Sequence, residues 1–232
     1  MTKKEFIQAC LEENITLTDN QINQFETYKH ILLEWNEKMN LTAITKEEEI
    51  WEKHFYDSIS PFFGMKFQTL CDVGSGAGFP GIPVKIIYPQ IELTLIEPLQ
   101  KRCRFLEEVT KQLDLKKVNI LSVRAEDFGK KNREVFDVVS ARAVANLSIL
   151  LELCVPLVKV NGYMVALKGK NGHLELESSS KAIEILDLEL EKEESFDLDQ
   201  GSRINLYFRK MKKTSNKYPR AYGQIKKKPL GD

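Results

Sequence analysis

The chain has 232 residues, of which 42% are hydrophobic and 29% charged, and its 34 basic and 34 acidic side chains give a formal net charge of zero. This composition is that of an ordinary soluble globular protein. The longest apolar runs are far shorter than the roughly 20 residues of a membrane span, and the N-terminus lacks the hydrophobic region of a signal peptide. We therefore expect a cytoplasmic protein without a membrane partner.

The cysteines and the charge distribution give information on redox state and on possible binding partners. The four cysteines are scattered without CxxC spacing, which indicates reduced, structural thiols and no metal site. Residues 175–199 carry ten acids and two lysines, whereas residues 209–228 carry nine basic residues and no acid. The basic segment is either an electrostatic footprint for nucleic acid or a solvated tail, and composition alone does not separate the two.

Three helices are predicted before the first strand. Thr2 with Glu5, and Thr18 with Gln21, match the capping-box pattern ahead of an apolar-periodic run. The second run places one apolar stripe at Ile22, Phe25, Tyr28, Leu32, Trp35 and Met39. A third helix is expected to begin near residue 45 and to end at Pro61. These helices make up a predicted N-terminal extension, residues 1–66.

Strands alternate with helices in the rest of the chain, which predicts a parallel, doubly wound sheet. The predicted helices are 99–114, 147–155 and 173–187, and the predicted strands are one that ends at Asp72 and then 92–96, 118–123, 136–141, 163–167, about 188–196 and 203–209. The last two strands have a short connection, so they pair antiparallel. We expect a seven-stranded, mostly parallel sheet with an antiparallel edge in residues 67–210, followed by a basic C-terminal segment, 211–232.

A glycine turn follows the first strand. Gly76, Gly78 and Gly81 form a GxGxxG pattern, and Glu97 ends the second strand 21 positions after Gly76. An acid at this position accepts hydrogen bonds from ribose hydroxyls, so the pattern predicts a ribonucleoside-type cofactor. A dinucleotide and S-adenosylmethionine both remain open. Asp72, directly before the glycines, favours the cationic amino group of S-adenosylmethionine and would repel a pyrophosphate.

Further motifs occur in a fixed order along nearly the whole chain. They are Asn-Leu-Thr-Ala-Ile at 40–44, His-Phe-Tyr-Asp-Ser at 54–58, the glycine turn at 72–83, Arg-Ala-Glu-Asp at 124–127, Ala-Arg-Ala-Val-Ala at 141–145, Leu-Lys-Gly at 167–169, Tyr-Pro-Arg at 218–220 and Pro-Leu at 229–230. This combination resembles the bacterial small-subunit rRNA guanine-N7 methyltransferases, formerly called glucose-inhibited division protein B.

The resemblance implies a Rossmann-like class I S-adenosylmethionine-dependent methyltransferase that acts on N7 of guanine 527 in 16S rRNA. The family's cofactor contacts fall on Gly74, Phe79, Ala125, Glu126 and Arg142. Together with the residues of the glycine pattern, the predicted cofactor-binding set also includes Asp72, Gly76 and Glu97. The chain departs from the family pattern little: Glu97 stands where aspartate is also common, and Phe55-Tyr56 are bulkier than in some relatives.

Several of these residues have a second reading. Phe79 either walls the pocket or packs in the core, and Glu126 either reads the adenine edge or is a surface acid. Arg142 could bind a ligand anion, either the methionine carboxylate or a substrate phosphate. Alternatively, it pairs with an acid inside the protein. No catalytic acid or base is expected, because guanine N7 already carries a free lone pair and catalysis then consists mostly of alignment.

The expected partner is 16S rRNA or the small ribosomal subunit, bound by a monomer. His54, Asp57 and Ser58 are candidates for the target-base side, although the first two also suit helix packing and capping. Candidates for RNA contact are Lys101, Arg102, Lys168, Arg220, Lys226 and Lys227. The alternatives are a methyltransferase on another RNA or a small molecule, a non-catalytic RNA-binding ribosome assembly factor, and an NAD-dependent oxidoreductase.

Overall fold

A computed structural model describes residues 1–198 and 201–231, so Asp199 of the acidic stretch and Asp232 lie outside it. Seven strands within the described residues form one sheet in the order β3-β2-β1-β4-β5-β7-β6. The strands are β1 Thr69–Val73, β2 Glu92–Ile96, β3 Val118–Leu121, β4 Phe136–Arg142, β5 Val158–Lys168, β6 Leu188–Leu198 and β7 Gly201–Lys210.

The sheet confirms the predicted seven-stranded architecture. It also shows which strand is antiparallel to its neighbours. β1 to β5 pair in parallel, and β7 runs antiparallel to both β5 and β6. β7 therefore lies inside the sheet, and β6 is the edge strand. The chain reverses its direction of travel across the sheet between β1 and β4. In an open α/β sheet this switch point opens a crevice at the carboxyl ends of the strands.

The helices cover both faces of this sheet. They are α1 Lys3–Glu12, α2 Asp19–Met39, α3 Glu47–Glu49, α4 Asp57–Ile59, α5 Gly81–Ile87, α6 Gln100–Gln112, α7 Ala125–Lys131, α8 Leu147–Cys154, α9 Gly172–Ser178, α10 Ser180–Ile185 and α11 Tyr222–Lys227. Both predicted capping boxes are present at the starts of α1 and α2. None of the helices within the described residues is long and apolar enough to cross a bilayer.

Three predicted elements differ from the structure. The helix predicted from residue 45 is a composite in which a π-helical turn, Ile50–Tyr56, separates α3 from α4. The helix predicted at 173–187 is broken at Ser179, whose Oγ donates to the carbonyl of Glu175 at 2.6 Å and competes with the regular helical ladder. The strand predicted at 163–167 begins at Val158, and its register against β4 shifts between Phe136 and Val138.

The N-terminal helices share one core with the sheet. A cluster of aromatic rings made by Phe6, Phe25, Trp51 and Phe55 has ring centroids 5.0–6.5 Å apart. It is continuous with the side chains of β1, β2, α5 and α6 on one face of the sheet. A second cluster fills the other face, and the C-terminal Ile225 and Leu230 belong to it.

We predict that Phe6→Ala destabilises the whole protein rather than α1 alone. Phe6 is fully buried, and removing a buried phenylalanine side chain costs about 3–5 kcal/mol of the free energy of unfolding. Urea unfolding followed by tryptophan fluorescence and by far-UV circular dichroism should show both transitions shifted together. The matched control is Leu11→Ala on the same helix, because Leu11 is 51% exposed and its loss should change little. Separated transitions in the Phe6 variant would contradict a shared core.

Candidate active site

The glycine turn connects β1 to α5 at the switch point. Gly74 has φ of +71° and Gly78 has φ of +92°, conformations that side chains with a Cβ rarely adopt. A Cβ on Gly74 would also lie 2.6 Å from Cγ2 of Val144, in the loop that follows β4. A Cβ on Gly78 would lie 2.7 Å from the hydroxyl of Tyr28. Glycine is therefore required at both positions by backbone conformation and by close approach.

The Glu97 carboxylate connects the end of β2 to the turn. It is 2% exposed, its Oε2 accepts from the backbone N–H of Gly76 at 3.0 Å, and its Oε1 accepts from that of Leu99 at 2.8 Å. Arg102 Nη1 lies 3.7 Å from the same Oε2. Two main-chain hydrogen bonds thus fix the carboxylate in one orientation at the crevice. Each oxygen keeps a lone pair for a further donor.

Four further N–H groups of the turn have partners inside the protein. Those of Gly74 and Ser75 donate to the carbonyl of Ile96 at 2.8 and 3.2 Å, and those of Gly78 and Phe79 donate to the carbonyl of Ser75 at 2.7 and 3.2 Å. A phosphate-binding turn needs such groups free and pointing at the ligand. This turn is therefore poorly suited to a pyrophosphate.

Asp72 lies beneath the turn and is fully buried. Its Oδ2 accepts from the N–H of Gly81 at 3.0 Å, while its Oδ1 has no hydrogen-bond partner within the protein. Burial raises the pKa of Asp72 to about 7, although the Gly81 hydrogen bond and the charge of Arg142 act in the opposite direction. The turn thus carries a buried acid with one unsatisfied oxygen.

Arg142, the last residue of β4, is held by the composite helix. Its Nη1 donates to the carbonyl of Lys53 at 3.0 Å, lies 3.1 Å from Oδ2 of Asp57 and is 3.4 Å from Oγ of Ser58. Arg203 of β7 contacts the same Asp57 oxygen at 3.3 Å. Burial lowers the pKa of Arg142, and the charge of Asp57 opposes that shift. An internal salt bridge, one of the two readings of this arginine, is therefore present.

His54 completes the surroundings of Arg142. Arg142 Nη2 donates to His54 Nδ1 at 3.1 Å, and a guanidinium only donates, so the proton of the neutral imidazole is on Nε2. That nitrogen lies 2.8 Å from Thr42 Oγ1, which therefore accepts. Desolvation, and next the charge of Arg142, lower the pKa of His54 to about 3. His54 is a fixed, neutral hydrogen-bonding group.

Phe79 joins this polar cluster to the aromatic core. Its ring stacks on His54 with centroids 4.3 Å apart and planes 7° apart, and on Tyr28 with centroids 5.4 Å apart. The guanidinium carbon of Arg142 lies 5.0 Å from the centre of the same ring. Phe79 is 5% exposed, so packing dominates in this conformation.

Three residues of this site were not among the predicted site residues. Tyr28 showed only helical periodicity, Thr42 lay in a short polar motif, and Arg203 lay in a late strand. No sequence signal therefore indicated their contacts.

Ala125 and Glu126 begin α7, beside the crevice. They are 8% and 5% exposed. The Glu126 side chain takes part in no hydrogen bond or ion pair within residues 1–198 and 201–231. A nearly buried carboxylate without a partner differs from the solvated surface acid that was the alternative reading. It is available to a ligand donor in the crevice.

The whole chain is similar in sequence to one family of known proteins. The family model described as rRNA small subunit methyltransferase G matches residues 21–202. The ribosomal RNA small subunit methyltransferase G of Lysinibacillus sphaericus is 48% identical over 237 residues, covering 99% of this chain and 100% of the relative. The protein of the same name from Staphylococcus haemolyticus is 49% identical, covering 94% of each chain. The chain belongs to this family.

Solved structures with low identity share the fold. M. jannaschii TYW2 in complex with AdoMet has a TM-score of 0.58 at 16% identity, and the match covers 73% of this chain and 80% of that one. A SAM-dependent methyltransferase from Aquifex aeolicus has a TM-score of 0.53 at 17% identity and covers 69% and 92%. The predicted family, class I fold, enzyme class and methyl donor of this methyltransferase G family member are confirmed.

The residues predicted to lie on the target-base side of the methyltransferase are buried inside the protein. His54, Asp57 and Ser58 are 6%, 2% and 0% exposed. Their polar atoms face Arg142, Arg203 and one another, because a buried guanidinium requires acceptors around it. A direct contact with RNA is therefore ruled out in this conformation. The alternative reading, packing within the helix, describes them better.

The predicted RNA-contacting residues fall into two groups. Lys168 is 9% exposed and pairs with Glu175 at 2.6 Å, and the partly exposed Arg220 pairs with the fully buried Glu152 at 2.7 Å, so both are engaged inside the protein. Strand ends and tails usually expose their charges, so the sequence did not indicate these internal partners, and an RNA role for the two residues stays a prediction. Exposed basic side chains do remain near the crevice and on the C-terminal segment, namely Lys101, Lys226 and Lys227, with Arg102 partly exposed.

A surface groove of about 990 Å³ lies elsewhere. It is bounded by the N-terminal helices and by the faces of β5, β6 and β7, and it includes no residue of the glycine turn. The size of a cavity does not identify the active site here. The candidate site is instead defined by the backbone and carboxylate groups that converge at the turn.

We predict that His54 gives stability a measurable pH dependence. With a folded-state pKa of about 3 and an unfolded pKa near 6.5, only the unfolded chain takes up this proton as the pH falls below 6.5. Stability is lost in that direction, by about 2 kcal/mol between pH 6.5 and pH 5. Urea unfolding at both pH values should show this loss reduced in His54→Gln. Unchanged pH dependence in that variant would contradict the assignment, and His30→Gln, at an exposed site, is the control.

Proposed function

We propose that this methyltransferase transfers the methyl group of S-adenosylmethionine to N7 of guanine 527 in 16S rRNA. Family membership supports the enzyme class and the small-subunit rRNA acceptor. The nucleotide and the ring position come from the motif resemblance, and the following contacts support the methyl donor.

The observation that carries the proposal is the state of the glycine turn. Glu97 is fixed by Gly76 and Leu99 with acceptor capacity remaining, which suits the two hydroxyls of a ribose. The N–H groups of Gly74 and Ser75 are already bonded to Ile96, which disfavours a pyrophosphate. A nucleoside without phosphates fits these residues, and a dinucleotide does not.

Other residues of the chain suit the remaining parts of the methyl donor. Asp72, two residues before Gly74, has one buried carboxylate oxygen without a hydrogen-bond partner, and its charge favours a cationic amino group nearby. Glu126 and the backbone at Ala125 flank the crevice on the side of α7 and suit the adenine edge. When bound, S-adenosylmethionine supplies an electrophilic methyl group. We assign Gly74 the role of letting backbone approach the ligand, and Phe79, packed between His54 and Tyr28, supports the pocket from the inner side of the turn.

The protein's own contribution to the reaction is alignment. His54 has both ring nitrogens engaged, and the Asp72 carboxyl is fully buried, so neither is positioned to take a proton from a bound base. Guanine N7 requires no such step, because its lone pair is the nucleophile. A fixed pocket that excludes water and holds the reacting atoms in line accounts for the chemistry.

RNA binding is assigned to the exposed basic side chains. Lys101 and Arg104 on α6, and Lys226, Lys227 and Lys228 at the C-terminus, form no ion pair within the described residues. Arg124 lies 5.7 Å from the ring centre of Tyr222, which joins the crevice side of α7 to the C-terminal segment. We propose that these groups bind rRNA phosphates, and that the protein acts in the cytoplasm as a monomer.

The runner-up is methylation of a different nucleotide of small-subunit rRNA. The same pocket would serve that reaction, because no described residue of the crevice is specific for the sequence around one guanine. A non-catalytic assembly factor is disfavoured by the intact turn and by Glu97.

The decisive experiment is transfer of labelled methyl from S-adenosylmethionine to small subunits from cells that lack this protein. We expect one labelled guanine, mapped by cleavage at N7-methylguanine to position 527. Label at another nucleotide would support the runner-up. Absence of label on any RNA, with binding of S-adenosylmethionine intact, would contradict the proposed acceptor.

We predict that reversing the charge of Lys226, Lys227 and Lys228 weakens RNA binding more than binding of the methyl donor. Each lost phosphate contact lowers the slope of log affinity against log salt by about 0.7–0.9. Filter binding over a salt series measures this slope, and calorimetry measures the affinity for S-adenosylmethionine. A triple reversal at the exposed Lys4, Lys38 and Lys46 is the charge-matched control. Equal slopes in the two variants would contradict an RNA role for the C-terminal lysines.

A further inference from the structure

The loop after β4 crosses the glycine turn. We call residues 143–146 the strap. Val144 of the strap occupies the space beside Gly74, so close that a Cβ there would be 2.6 Å from Val144 Cγ2, and the Val144 side chain is still 37% exposed. Ala143 has φ of +57°, an unfavourable conformation for a residue with a Cβ. A strap with this geometry requires anchors that hold it.

One anchor is a partly buried ion pair outside the crevice. Lys168 Nζ donates to the carbonyl of Ala145 at 2.8 Å, and Glu175 Oε2 accepts from the N–H of Leu147 at 2.8 Å. The two side chains contact each other at 2.6 Å. Lys168 and Glu175 together therefore bind both peptide groups that flank Asn146.

The position of this pair follows from the sheet and from α9. Lys168 is the residue after Leu167, which is paired with Arg142 across β4 and β5, so its side chain is next to the start of the strap. Gly172 brings α9 close, because a Cβ there would lie 3.0 Å from Cβ of Lys168. Glu175 in the first turn of α9 then caps α8, whose own N-cap residue, Asn146, provides no side-chain cap.

The other anchor is the end of β4 itself. Arg142 precedes the strap, and its guanidinium is fixed by Lys53, His54 and Asp57. The strap is thus held on one side by the N-terminal helices and on the other by Lys168 and Glu175. Between these anchors Val144 faces the backbone of Gly74.

We infer that Lys168 and Glu175 are positioning residues of the methyltransferase, which hold the strap over the part of the pocket that receives the methionine end of S-adenosylmethionine. The inference rests on the proposed placement of that cofactor at Gly74. It gives Lys168 a role inside the protein instead of a contact with RNA. Loss of the pair leaves Ala145 and Leu147 without their partners, so the strap loses its fixed position over Gly74.

The test compares Lys168→Met with Lys170→Met. Lys170 is exposed, is two residues away and forms no ion pair within the described residues, so it controls for the loss of one lysine. We expect Lys168→Met to weaken binding of S-adenosylmethionine, measured by calorimetry without RNA, on the order of tenfold, because the pocket is no longer preorganised. The value of kcat with saturating subunits should fall by about 10- to 100-fold. Lys170→Met should leave both values unchanged.

Two further measurements separate the possible outcomes. RNA affinity and its salt slope should be unchanged in Lys168→Met, whereas a phosphate-binding lysine would lower the slope by about 0.7–0.9 with normal cofactor binding, and that result would overturn the inference. If thermal melting shows that Lys168→Met does not fold, Glu175→Leu is the deciding variant, because it removes both the acceptor for the N–H of Leu147 and the ion pair with Lys168. Normal cofactor affinity and kcat in a folded Glu175→Leu protein would likewise contradict the role.

A reference variant distinguishes failure of this inference from failure of the proposed site. Glu97→Gln should weaken binding of S-adenosylmethionine whether or not the strap is involved. If Glu97→Gln binds normally, the cofactor placement is wrong. If Glu97→Gln is impaired and Lys168→Met binds and turns over normally, only the positioning role is wrong.

Discussion

The buried guanidinium of Arg142 is the constraint on which much of this structure depends. A charged group at the end of a central strand is costly to bury unless its donors find acceptors. The acceptors come from the composite helix, through the carbonyl of Lys53, the imidazole of His54 and the carboxylate of Asp57. Any other placement of that helix would leave a desolvated charge. The N-terminal part of the chain is thereby tied to the carboxyl edge of the sheet, where the chemistry takes place.

Aromatic packing also connects the N-terminal helices to the carboxyl edge of the sheet. Phe79, which follows the glycines, is stacked between His54 and Tyr28, so the turn and the N-terminal helices share one set of contacts. The π-helical turn at Ile50–Tyr56 directs Trp51 and Phe55 into the core and His54 toward Arg142. Such turns are frequent at functional sites. The helices before β1 therefore support the site from behind the turn, where the hydroxyl of Tyr28 donates to the carbonyl of Ala77.

Sequence reasoning recovered the parts that have local signals. The glycine turn, Glu97, the capping boxes at Thr2 and Thr18 and the strand alternation all have fixed spacings, and each has its counterpart in the structure. It did not recover contacts between distant segments. Lys168 resembles any lysine at a strand end, and only the approach of α9 and the strap makes it internal. Likewise, the π-helical turn has no distinctive composition, and the break at Ser179 depends on one side-chain hydrogen bond.

The internal hydrogen bonds of the glycine turn have a consequence for competition inside a cell. Adenine nucleotides that carry phosphates are abundant there, and they share the adenosine portion of the methyl donor. Because five main-chain donors of the turn are bonded to Ile96, Ser75 and Glu97, a phosphate in that place would have to displace existing bonds and approach a carboxylate. At the proposed cofactor site, the backbone thus disfavours ATP-like molecules. An inhibitor for this pocket would gain from an uncharged or cationic group beside the ribose and would lose affinity with every added phosphate.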